Sequence, residues 1–229
     1  MLIGKVETLS RYPVKSLLGE FVEAVDIEKR GVRGDRLYAI SNEQGKFGSG
    51  KNTRHFRKID GLLCLSAQFN SDTLLITFPC GESLNSDHQD INQKLSTELG
   101  QAVTLTKEND LPHFDDGSVH IITSADLEQL KLELPESQID IRRFRANILI
   151  DTHSLSRDLL GKTLRIRDTE MAIVEETKRC RMIGLAQAAL NNDPKILEMV
   201  AKQNNHNFGV YATVVRPGLI NVGDSISIV

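Results

Sequence analysis

Apolar positions in the early part of the chain come in short runs set between turn residues. Phe21-Val-Glu-Ala-Val-Asp-Ile27 alternates apolar and polar side chains, the period of a half-buried strand. Leu2 to Leu9 alternates more loosely and gives out before Pro13, which closes regular pairing. Leu37 to Ile40, Leu62 to Phe69 and Leu74 to Phe78 are further runs of strand length. They are separated by the turn Gly31-Val-Arg-Gly-Asp-Arg36 and the glycine-rich loop Gly45 to Asn52. Short strands at turn spacing predict a barrel or sandwich.

The pattern changes after Gly81. Ser86 to Leu99 has the spacing of an amphipathic helix stopped by Gly100. Val103 to Thr106 and Val119 to Ile122 read as strands on either side of a polar loop, Asn109 to Gly117. Thr123 or Ser124 caps a helix over Ala125 to Leu134. Arg142 to Asp151 reads as a loop entering a buried strand, and Leu164 to Ile166 with Met171 to Val174 as a hairpin. Ile183 to Gln203 reads as mostly helical, broken near Asn191-Asn-Asp-Pro194. Phe208 to Val215 and the chain end read as strands. The fold class is mainly β with some α (α+β), in two domains, residues 1–82 and 83–229.

Composition narrows the classes. The 229 residues are 40% hydrophobic and 26% charged, with a formal net charge of -3. That is an ordinary globular balance with no global pull toward nucleic acid or a membrane surface. No apolar run approaches the roughly 20 residues that cross a bilayer. The N-terminus reads as a strand rather than a signal peptide, so a cytoplasmic protein is expected. Three cysteines argue against a disulfide framework. Without a Cys-x-x-Cys pair, neither a zinc ribbon nor an iron–sulfur cluster is expected in this chain. Cys64 sits in an apolar run and reads as core, and Cys80 sits in a turn.

Cys180 is different. It follows the strand-like Met171-Ala-Ile-Val174 and stands among Lys178, Arg179 and Arg181. Cations beside a thiol favour the thiolate, which is both nucleophile and metal ligand. The alternative is a small buried apolar side chain. Lys15-Ser16, Arg36 and Arg145 with Asn147 each lie at a strand–loop junction, where ligand groups are commonly held. Arg grips phosphate with a rigid fork and Lys with a point charge. Such cations can converge on one anion, or each can be a solvated surface charge. Gly45-Lys-Phe-Gly-Ser-Gly-Lys-Asn52 nearly matches a phosphate-binding P-loop. Asn52 replaces the required hydroxyl residue and no helix pattern follows, so a hairpin loop is expected. The histidines are scattered, and His113 with Asp115 and Asp116 reads as a solvated loop.

Taken together these junctions resemble one family. Tyr12-Pro-Val-Lys-Ser16 and Gly34-Asp-Arg36 look like the N-terminal β-barrel domain that precedes a MOSC domain. Ser124 at a helix start, Arg143-Phe-Arg-Ala-Asn147, the Arg179–Cys180 pair, Phe208-Gly-Val-Tyr211, and Pro217-Gly218 with Val222-Gly-Asp224 look like the MOSC domain itself, the C-terminal domain of molybdenum cofactor sulfurase. The resemblance implies an N-terminal β-barrel domain and a MOSC-type β-barrel with a few helices, enclosing the molybdenum cofactor (molybdopterin). It makes Cys180 the thiolate on molybdenum and the catalytic residue, with Lys15, Ser16, Arg36, Ser124, Arg145 and Asn147 as cofactor contacts. Well-known members reduce N-hydroxylated or N-oxide compounds with electrons from a partner.

The chain departs from the family after the cysteine. Arg181-Met-Ile-Gly-Leu185 stands where a Thr-rich stretch and an Asp-Pro are usual, and Asp193-Pro194 comes late. The resemblance covers neither the pyridoxal phosphate domain of the sulfurase nor a ferredoxin domain. A separate electron-donor protein, ferredoxin- or flavodoxin-like or a reductase, is therefore expected, with a small-molecule substrate and no nucleic acid or membrane partner. The rivals are a non-catalytic cofactor carrier or store, and a sulfur carrier with a persulfide on Cys180.

Overall fold

The computed structural model describes residues 1–109, 112–114 and 116–229. Asp115, one member of the acidic loop, lies outside them. The described residues form mostly short strands with four α-helices, in agreement with the alternating pattern.

Seven strands close a barrel. In order around it they are Ile148–Asp151, Val119–Thr123, Asn207–Arg216, Thr169–Lys178, Thr163–Ile166, Ser225–Ile228 and Leu2–Arg11, which pairs back to Ile148–Asp151. Val119–Thr123 is buried at every position, the pattern of a strand covered on both faces. Val6, Ile121, Ile150, Leu164, Ile173 and Val210 fill the barrel interior. A second layer packs the helix Ser124–Glu133, the short helix Ile141–Phe144 and the helix Lys195–Asn204 around Phe144 and Ile183.

The other lobe holds a four-stranded sheet, with Tyr38–Asn42 paired to Val103–Lys107 and to Phe47–Ser49, and a three-stranded sheet over Ser66–Asn70, Thr73–Thr77 and Ser83–Asn85. Ile40, Leu65, Leu74, Ile76, Phe78 and Leu95 form its core. Strands cross between the lobes: the first strand of the chain closes the barrel, and Val103–Lys107 edges the other sheet. Phe21 to Ile27 splits into Glu20–Val22, which joins the barrel strand Leu2–Arg11, and Ala24–Glu28, which pairs with Gly218–Asn221. No helix among the described residues is long and apolar enough to cross a membrane.

Three local expectations need correction. The segment before the predicted break, Ile183 to Leu190, is not an α-helix: a 3-10 turn spans Arg181–Gly184, while the helix Lys195–Asn204 starts right after the break at Pro194. The buried guanidinium of Arg143 explains this. It donates to the carbonyls of Ile183, Leu185 and Asn191, at 3.3, 3.2 and 2.8 Å, so those oxygens do not accept from a helical turn. The first predicted helix is shorter than its pattern, Ile91–Glu98. Cys64 is exposed rather than core, because Leu62–Cys64 is a 3-10 turn that buries Leu62 and Leu63 and turns Cys64 out. The glycine-rich loop is a hairpin arm: Phe47–Ser49 pairs with Tyr38–Asn42, and no helix follows it.

Candidate functional site

Two distant motifs are clamped together by backbone chemistry. Tyr12 N–H donates to the fully buried Asp35 carboxylate at 2.7 Å, and Arg36 N–H donates to Tyr12 C=O at 2.7 Å. Tyr38 N–H donates to Pro13 C=O, and Lys15 N–H to Tyr38 C=O. Lys15, Ser16 and Arg36 therefore arrive on one edge. Arg145 comes from the barrel lobe, at the left-handed position that ends the helix Ile141–Phe144, a place glycine usually takes. Its Nη1 donates to Leu17 C=O.

These residues line one cleft of about 880 Å³, open mouth included, with Cys180, Lys51, Lys178, Arg179, His120 and Tyr211. Lys15, Arg36, Lys51, Arg145, Lys178 and Arg179 face a single described carboxylate on the lining, Asp116. In a chain of net charge -3, that concentrates positive potential in one place.

Lys15, Arg36 and Arg145 are held, not loose. Lys15 is buried, donates Nζ to His113 C=O at 2.8 Å and lies 5.0 Å from the Phe56 ring centre. Arg36 donates Nη1 to Asp35 and Nη2 to Arg145 C=O at 3.0 Å. Arg36 and Arg145 both lie over the Tyr12 ring, at 4.7 and 4.4 Å. Burial drags the Arg36 pKa down, but the Asp35 carboxylate outweighs it and holds the guanidinium above its usual value. Burial raises the Tyr12 phenol, against the pull of both guanidiniums.

Ser16, Arg36 and Arg145 all have positive φ, at 66°, 48° and 56°. Each such non-glycine residue costs about 1–3 kcal/mol, and such strain gathers where ligands are gripped. It aims three side chains or their flanking amides that an ordinary strand would point elsewhere.

The structure separates the other two predicted contacts from the lining. Asn147 is buried behind the cleft, where its Oδ1 accepts from His120 N–H at 3.0 Å and from Arg36 Nη1 at 3.5 Å. It positions Arg36. Ser124 is engaged with Thr152 instead: its Oγ donates to Thr152 C=O at 2.9 Å and accepts from Thr152 N–H at 3.0 Å. Thr123, not Ser124, caps the helix, in a capping box with Asp126.

Several lining residues escaped the sequence reading. His120 sits on a strand buried throughout, so its alternation gave no signal. Burial pushes its pKa well below the usual value, aided by Arg179 and then Arg36, so it is neutral in the free protein at neutral pH. Gly209, with φ of 86°, lets the neighbouring strand approach: a Cβ there would lie 2.4 Å from His120 Nε2. Lys51 belongs to the loop that mimics a P-loop. His113 is buried rather than solvated, because Phe47 packs edge-on at 4.8 Å and its N–H donates to Glu108 at 2.9 Å.

Cys180 is a half-buried residue at the start of the 3-10 turn. The described residues contain no group of three or more His, Cys, Asp or Glu placed to hold a metal. A metal at Cys180 would have to bring most of its own ligands.

Family models match over both lobes: the MOSC domain over residues 100–227, and the MOSC N-terminal beta barrel domain over residues 3–118. The molybdenum cofactor sulfurase of Drosophila erecta is 26% identical over 54% of this chain, and the chain covers only 16% of that protein. Mitochondrial amidoxime-reducing component 1 of Mus musculus is 24% identical, covering 98% of this chain and 82% of the relative. Among solved structures, the YuaD protein from Bacillus subtilis aligns with a TM-score of 0.51 at 14% identity, over 97% of this chain and 93% of that one.

Proposed function

Because the chain belongs to the MOSC domain family, with that family's N-terminal beta barrel domain, we propose that the cleft binds the molybdenum cofactor and reduces N-hydroxylated or N-oxide compounds. One observation carries the reading: Lys15, Arg36, Arg145 and Cys180, far apart in sequence, meet in one cationic cleft. The residues present suit the group. A pterin phosphate is anionic, and rigid guanidiniums with a buried lysine match it. A soft sulfur donor suits molybdenum, and a metal that arrives with a pterin dithiolene needs only one protein ligand, which Cys180 would provide.

When bound, the cofactor supplies two-electron abstraction of oxygen. The chain's own residues do the rest. Lys15, Arg36 and Arg145 hold the phosphate and pterin, with Ser16 at the same edge and Asn147 fixing the Arg36 fork. Phe56 and Met182 give the lining an apolar part where an uncharged substrate can lie. Converting N–OH to N–H with release of water consumes two electrons and two protons. The electrons come from a separate donor protein. His120, neutral and next to the cations, becomes easier to protonate once an anion offsets Arg36 and Arg179.

The test is steady turnover of an amidoxime by holoprotein supplied with a reduced donor. Amine formation at a constant rate supports the reductase. Cofactor-loaded protein that turns over no N-hydroxylated or N-oxide substrate would leave a carrier or store in its place.

A further inference from the structure

We propose that the basic rim of this cleft is a docking surface for an acidic electron-carrying protein; the inference rests on the reductase reading above. One wall of the cleft is the segment Lys51 to Lys58, which carries Lys51, Arg54, Arg57 and Lys58. Phe56 turns into the cleft, while Arg54 and Arg57 are exposed outside it. Lys178, which also lines the cleft, and Arg181 just after Cys180 are exposed.

The two stretches are contiguous. Lys58 and Arg181 border a common groove beside the cleft. A Cβ on Gly50 would lie 2.6 Å from Met182 Sδ, so the hairpin arm touches the segment after Cys180. Cations from two distant stretches thus form one arc around the mouth.

Several cations elsewhere are paired with carboxylates, although the exposed Lys29, Lys107, Lys131 and Lys162 have no ion pair among the described residues either. Arg33 has Asp26 and Glu28, Lys94 has Glu82, Arg142 has Asp140, and Arg165 and Arg216 share Glu170. At the rim only Lys58 has such a partner, Asp60 at 2.9 Å. Among the described residues no carboxylate forms an ion pair with Lys51, Arg54, Arg57, Lys178 or Arg181. Their field is therefore directed outward. Arg54 and Arg57 do not line the cleft, so holding a cofactor does not account for them.

The position selects the partner. On the reductase reading electrons reach this cleft, which Lys51 and Lys178 line, while Lys58 and Arg181 line the groove beside it. Complementary charge at a rim steers encounter and fixes orientation, an effect that salt screens. The need for a reductant at the cleft favours an acidic electron carrier over other polyanions, and nucleic acid and anionic lipid are outcomes of the test.

The experiment measures binding of an acidic flavodoxin and an acidic [2Fe–2S] ferredoxin to cofactor-loaded protein, with and without Arg54→Glu combined with Arg57→Glu. At least one carrier should bind at low salt and weaken about tenfold or more in high salt. The double variant should weaken it by at least about tenfold, with unchanged melting temperature and cofactor content. In turnover, KM for the carrier should rise while the rate with dithionite-reduced viologen, which needs no docking, stays the same. The proposal falls if neither carrier binds, or if charge reversal leaves affinity unchanged. It also falls if a short DNA duplex, or vesicles of phosphatidylserine and phosphatidylcholine, bind as tightly through the same two residues. Binding is read without turnover, so an inactive protein would overturn the reductase reading while leaving the docking result distinct.

Discussion

Arg36 Nη2 donates to the main-chain oxygen of Arg145 at 3.0 Å, joining two lobes across 109 residues of sequence. The same guanidinium pairs with Asp35, which has no exposed surface, and lies over Tyr12. Arg36 is thus a structural link as well as a proposed anion ligand.

Arg36→Ala leaves the Asp35 carboxylate buried without its charge partner. Breaking a buried pair from one side costs about 3–5 kcal/mol. The loss should appear in urea unfolding as a lower midpoint with an unchanged slope. Arg36→Lys keeps the charge but not the fork, and should bind inorganic phosphate more weakly than the wild type. Wild-type stability in Arg36→Ala would show that the link between the lobes is dispensable.

Acid should destabilise the protein through two histidines. His120 and His113 both have pKa values lowered in the folded state, in each case mainly by burial. A lowered folded value means that the unfolded chain takes up the proton first. Stability is complete above the unfolded histidine value, about 6.5, and is lost as pH falls through and below it. Unfolding midpoints measured downward from neutrality should show this slope, and His120→Gln should make it shallower. An anion in the cleft should oppose the loss by offsetting Arg179 and Arg36.

Arg143→Met tests what replaces the expected helix after Cys180. The carbonyls of Ile183, Leu185 and Asn191 would lose their donor inside the protein, at a cost on the order of 3 kcal/mol. Hydrogen exchange should speed up between residues 181 and 193 while the barrel strands keep their protection. Equal protection of that segment in both proteins would contradict the role given to Arg143.

What the sequence disclosed and what it hid follow from the range of the forces involved. Strands announce themselves through local alternation, and the flanking cations marked Cys180 within a few residues. The capture of three carbonyls by Arg143 acts across 40 to 48 residues, so a locally helical pattern at Ile183 to Leu190 misled. Cys64 misled because a short apolar run fits a strand or a turn equally well. His120 was hidden inside a uniformly buried strand. Ser124 matched a family position, yet its hydroxyl is committed to Thr152, which only the fold reveals.

Molybdenum and pterin content of protein made in a host that synthesises the cofactor tests the central claim most directly, comparing wild type with Cys180→Ser. Cys180 is only half-buried, so the substitution removes a sulfur donor without emptying a core, and the melting temperature should not move. The wild type should carry molybdenum and pterin in equal amounts, and the variant should lose its molybdenum-dependent turnover and hold less metal. A wild type with neither molybdenum nor pterin, or a Cys180→Ser protein with undiminished metal and activity, would contradict the account.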